Sequence, residues 1–94
     1  MAEKTWMEGE QIMDIYGYKK DEDEEILELN EVCFYCNNKW ELNKIIEFLN
    51  YVKNEYNNMP KEVTGDCHIH YQDWDRKWKH DSPDIIITLN LDNK

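Results

Sequence analysis

The sequence predicts an α+β fold in two layers, with one helix packed on one face of a four-stranded antiparallel or mixed sheet. Three observations predict it. Two stretches of period 2 come first, one apolar stripe of period 3.6 follows, and two further alternating stretches close the chain. The element order is strand, strand, helix, strand, strand. The 94 residues are expected to form a single domain, 1–94, with residues 1–9 set aside as a candidate disordered end.

The first strand is expected within "EQIMDIYGY", residues 10–18. Ile12, Asp14 and Tyr16 point one way there, and Met13, Ile15 and Gly17 the other. "KKDEDEE", residues 19–25, reads as a charged loop without the Asn-Gly or Asp-Gly signature of a two-residue hairpin turn. "ILELNEVCFYC", residues 26–36, is the second expected strand. A bulge near Asn30 would switch the buried parity, placing Leu27 and Leu29 in the core with Val32 and Phe34.

The period then changes. Leu42, Ile45, Ile46, Leu49, Val52 and Tyr56 fall on one helical stripe. Asn38 is the expected N-cap, and Glu41, three residues on, completes an Asn version of the capping box. The helix should stop near Asn57–Asn58, because Pro60 disfavours a helical residue before it.

"DCHIHYQDW" alternates again, with Cys67, Ile69 and Tyr71 on one face and His68, His70 and Gln72 on the other. "DRKWKHDSP" is a polar connection. "DIIITLNLD" places Ile85, Ile87, Leu89 and Leu91 together. The two alternating stretches read as a hairpin.

Composition narrows the function classes. The net charge is −10, from 21 acidic and 11 basic residues. Such a surface repels phosphate backbones and anionic membranes, so neither nucleic acid nor a bilayer is an expected partner. It serves solubility, or it recruits a basic protein. "MAEKTWMEGEQ" lacks the basic-then-apolar order of a secretory signal, and no apolar run reaches the roughly 20 residues of a membrane span. Three cysteines in a chain of intracellular character are expected to be reduced thiols.

Candidate chemistry centres on the histidines. His68 and His70 are i,i+2 on a strand, roughly 6.6–6.8 Å apart along the backbone and on one face, a spacing that suits two ligands of one metal. A third ligand is not fixed; His80, Asp84 and Asp66 are the options, and two solvent-facing histidines are the plainer reading. "CFYC" ends a strand, which puts Cys33 and Cys36 on opposite faces and about 10 Å apart, beyond disulfide reach. No carboxylate pair is set by spacing, and no glycine-rich phosphate loop is present. The chain is therefore expected not to be an enzyme and to need no cofactor. Trp74 and Trp78, i,i+4 in "YQDWDRKWKH", either cap the core or stand exposed as interface anchors.

The run "ILELNEVCFYCNNKWELNKIIEFLNYV", then "HIHYQDW", then "PDIIITLN" resembles small immunity proteins of bacterial polymorphic-toxin and contact-dependent inhibition systems. The resemblance spans residues 26–91 and touches His68, His70 and Asp84 without giving them a role. It implies a non-enzymatic bacterial protein of the cytoplasm that binds a cognate toxin, often a basic nuclease, and blocks it. Asp21, Glu22, Asp23, Glu24 and Glu25 are then the candidate steering charges. Asp73, Trp74, Asp75 and Trp78 are the candidate contacts that hold the partner. The alternatives are a small metal-binding domain using His68 and His70, and a structural homodimer paired through an edge strand.

Overall fold

The computed structural model describes residues 13–18, 25–77 and 82–93. The fold is α+β, and the described residues form one long helix and two two-stranded antiparallel sheets. The chain divides into two compact units, Met1–Tyr35 and Cys36–Lys94.

The first unit contains the hairpin of β1 (Tyr16–Tyr18) and β2 (Ile26–Glu28), with Gly17 opposite Leu27. One further bond, Leu29 N–H to the Ile15 carbonyl at 2.7 Å, extends the ladder. Gly17 and Leu27 face inward while Tyr16, Tyr18, Ile26 and Glu28 face solvent. A Cβ at Gly17 would stand 2.9 Å from Leu29 Cδ1: Leu29 already fills the space that a side chain there would need. The chain bends at Asn30, and residues 31–36 form no regular structure. The expected strand to Cys36 is corrected accordingly, and so is the expected core role of Val32 and Phe34, both exposed. Alternation fixes side-chain parity but not how far a ladder runs, and among the described residues this one reaches only from Ile26 to Leu29.

In the second unit, helix α1 (Lys39–Asn57) starts where expected. Asn38 is extended, and its Oδ1 accepts the Glu41 N–H at 3.0 Å. Glu41 reaches back one residue further than a standard capping box, its Oε1 accepting the Asn37 N–H at 2.7 Å and the Asn37 Nδ2–H at 3.0 Å. Those two bonds, the backbone one first, hold the Glu41 carboxyl below its ordinary pKa. At the other end, the Asn58 N–H bonds the Asn54 carbonyl at 3.1 Å and the Met59 N–H bonds that of Tyr56 at 3.2 Å, directly ahead of Pro60.

The buried face of α1 is rotated from the expected stripe. Phe48 is 0% exposed and Val52 is buried, whereas Leu42, Ile46 and Leu49 are 48%, 47% and 44% exposed. The apolar arc of α1 is wider than one sheet can cover, and the half centred on Phe48 is the half that is covered.

What covers it is the hairpin of β3 (Asp66–His70) and β4 (Ile86–Asn90), paired antiparallel with His68 opposite Thr88 and His70 opposite Ile86. Phe48, Val52 and Tyr71 form the core cluster, with Ile69, Trp74, Ile85, Ile87 and Leu89 packed against it. Leu91 is also buried, in the closing 3-10 turn Leu91–Asn93. Full burial of a Phe or Leu side chain is worth about 1.5–3 kcal/mol. Gly65 opens the hairpin with φ +87°, a conformation that costs other residues but not glycine. Its N–H donates to Asp92 Oδ1 at 3.0 Å and its carbonyl accepts the Leu91 N–H at 2.8 Å.

Two expectations are revised here. Among the described residues the strands pair as two separate two-stranded hairpins, in place of the expected four-stranded sheet. Strand β3 also ends at His70 and does not run to Trp74. A single helical turn, α2 (Tyr71–Trp74), follows it at once.

Candidate functional site

The turn α2 exists because Asp84 stands opposite it. Asp84 Oδ1 accepts the Gln72 N–H at 2.9 Å and the Ile85 N–H at 2.9 Å. The Tyr71 N–H still finds a strand acceptor, the Ile85 carbonyl at 2.8 Å. Past that point the carboxylate replaces the ladder, and the chain coils. Asp75 closes the turn, its N–H bonding the Tyr71 carbonyl at 2.9 Å and its Oδ2 accepting the Tyr71 hydroxyl at 3.0 Å. Gln72 Nε2 donates to the Ser82 carbonyl at 2.9 Å and ties the far side of the connection.

The same carboxylate holds a histidine. Asp84 Oδ2 lies 2.6 Å from His70 Nδ1, with the two side chains 18% and 39% exposed. A carboxylate can only accept, so in this contact His70 donates from Nδ1, which leaves Nε2 as its other ring nitrogen. His68 Nδ1 lies 2.9 Å from Thr88 Oγ1 on the neighbouring strand. Both rings stand on the face of β3 away from the core, as the alternation predicts. Both residues also border a shallow cleft of about 220 Å³, lined with them by Tyr51, Ile69, Asp73 and Trp74.

Trp74 belongs mainly to the aromatic core. Its ring centroid is 5.4 Å from Tyr71, 5.6 Å from Phe48 and 6.2 Å from Tyr51. Lys44 Nζ sits 5.6 Å from the Trp74 centroid and 5.5 Å from that of Trp40, a cation between two electron-rich faces. Burial pushes the Tyr71 hydroxyl up to about 12, and the Asp75 carboxylate that it bonds adds to the shift.

The candidate partner residues separate into groups. Asp73 and Trp74 share the histidine cleft. Asp75 is occupied within the fold: besides the Tyr71 hydroxyl it accepts the Lys77 N–H at 3.2 Å. Glu25 is exposed. Asp21, Glu22, Asp23, Glu24 and Trp78 lie outside the described residues, as does His80. Cys33 is exposed and Cys36 half-buried, and neither is in a disulfide. Among the described residues, no three His, Cys, Asp or Glu side chains gather closely enough to hold a metal ion, and no helix is long and apolar enough to cross a membrane.

Sequence reasoning missed the His70–Asp84 contact and the part of Tyr51. The first had a readable signal. Once His70 is set opposite Ile86, Asp84 is its diagonal neighbour on the same face of the hairpin. Tyr51 comes from another element and had none.

No protein-family model, curated protein or solved structure matches the chain.

Proposed function

We propose that this chain is a non-enzymatic protein-binding module of the immunity type, acting in the bacterial cytoplasm to bind and neutralise a basic toxin. The observation that carries the reading is the charge and where it stands. Acidic residues outnumber basic ones 21 to 11, and among the described residues no charged side chain is buried. Most of the described carboxylates are exposed, and the summed field of such a chain acts on an approaching cation-rich surface. Asp21–Glu25 is the steering segment. Asp73 and the half-buried Trp74, beside the histidine cleft, are contacts that hold the partner, with Trp78 as a further one.

The experiment is capture from the native host with the tagged full-length chain, at low and at high salt. A variant with Asp21, Glu22, Asp23, Glu24 and Glu25 changed to their amides is the control. A basic protein recovered in a fixed ratio, lost at high salt and depleted with the variant, and whose activity the chain inhibits when both are purified, is the expected result. Recovery of no basic protein under gentle conditions would overturn the reading.

A further inference from the structure

We propose that His68 and His70 form a site for a zinc-class divalent ion, bound through the two Nε2 atoms, with Asp84 as the residue that orients His70. The inference stands independently of the toxin-binding reading. It rests on four features of the β3–β4 hairpin. Both imidazoles project from one face of β3, away from Ile69 and Tyr71. Both have Nδ1 engaged, His68 with Thr88 Oγ1 at 2.9 Å and His70 with Asp84 Oδ2 at 2.6 Å. Both border the same shallow cleft of about 220 Å³, together with Tyr51, Ile69, Asp73 and Trp74. The chain's net charge of −10 raises the local concentration of cations around it.

The Asp84 contact is the most informative of these. A histidine that ligates a metal through one ring nitrogen usually donates from the other to a carboxylate, which sets the tautomer and makes the ligating nitrogen more basic. Here that carboxylate is itself fixed by two backbone N–H groups, those of Gln72 and Ile85, both at 2.9 Å. It cannot swing away without breaking the α2 turn. The lone pair on His70 Nε2 is therefore held ready by the hairpin. Imidazole nitrogen suits zinc, nickel and copper rather than calcium or magnesium. No third ligand joins the pair among the described residues. The described residues thus supply two nitrogens, and a tetrahedral ion has two further positions for water or another donor.

The test is a titration of the full chain with Zn²⁺, followed by calorimetry and by side-chain ¹⁵N resonances of the three histidines. The expected result is one equivalent bound, with Nε2 of His68 and His70 shifting together. The double variant His68→Ala, His70→Ala loses the equivalent. Asp84→Asn is the sharper probe. Its Oδ1 still accepts the two N–H groups, so the turn survives. Its Nδ2–H now donates toward His70 Nδ1, which drives the proton to Nε2 and covers the ligating lone pair. Zn²⁺ affinity should fall about tenfold to a hundredfold, with the far-UV dichroism unchanged. Zn²⁺ that shifts only His80, or leaves both Nε2 resonances in place, would overturn the site. An Asp84→Asn protein that is folded and binds as tightly as the parent would overturn the role given to Asp84.

Discussion

Removing the Asp84 carboxylate tests how the hairpin and the turn are joined. Asp84→Ala leaves the Gln72 and Ile85 N–H groups without the acceptor that now stands 2.9 Å from each. Both residues are half-buried, so water replaces the carboxylate only in part. A hydrogen bond to a charged acceptor is worth about 1.5–3 kcal/mol, and a stranded donor costs a similar amount. Discounting for partial solvent access, the pair should cost about 2–4 kcal/mol in total. His70 adds little, because its 39% exposed ring can turn to water. Asp84→Asn keeps an acceptor oxygen for both N–H groups and should cost about 1 kcal/mol or less. Stabilities of small domains run about 5–15 kcal/mol, so the alanine variant should show a large drop in urea midpoint by far-UV dichroism, and the asparagine variant a small one. Equal costs for the two, or an alanine cost under about 0.5 kcal/mol, would refute the clamp.

Other positions give independent checks. Phe48→Ala, at the fully buried centre of α1, should cost about 3–5 kcal/mol, whereas Ile46→Ser two residues away should stay within about 0.5 kcal/mol; urea unfolding of the pair reads which face of the helix is covered. Gly65→Ala forces a Cβ into φ +87° and should destabilise by about 1–2 kcal/mol, although nothing lies within 4 Å of that Cβ. Tyr71 ionises at about 12 in the fold against 10.0 otherwise. A raised acid favours the folded state fully below its unfolded value, and that contribution is lost as pH rises through the folded one. Stability should therefore fall between pH 10 and about 12, and Tyr71→Phe should be less stable at neutral pH but lose this part of the alkaline slope.

Much of the second unit was legible from local chemistry. Asn38, Glu41 and Pro60 mark the helix ends by what their own atoms do to neighbouring backbone, and both marks hold. The β3–β4 hairpin was legible because Cys67, Ile69 and Tyr71, then Ile85, Ile87, Leu89 and Leu91, recur at every second position. What failed depended on distant partners. The α1 sequence offers apolar residues over a wide arc, and nothing local says that Phe48 rather than Leu42 and Leu49 meets the sheet. Tyr71–Trp74 continues the alternation of a strand, yet Asp84 captures the Ile85 N–H that the ladder would have sent to the Tyr71 carbonyl, and Asp75 takes that carbonyl instead. Leu27 to Phe34 carries strand-forming residues, but among the described residues the ladder with β1 runs no further than Leu29. At the site, the shared face of His68 and His70 was readable, while the cleft that they border needed Tyr51 from α1.

The most direct test of the acidic-steering claim is the association rate of the chain with its purified basic partner, measured by stopped flow across ionic strength. Exposed charges act over a Debye length that shrinks from about 30 Å at 0.01 M to about 8 Å at 0.15 M salt. The account predicts a rate that falls at least about tenfold over that range, with a shallower fall for the variant carrying amides at Asp21–Glu25. A rate that is flat with salt, or equally steep in that variant, would contradict it.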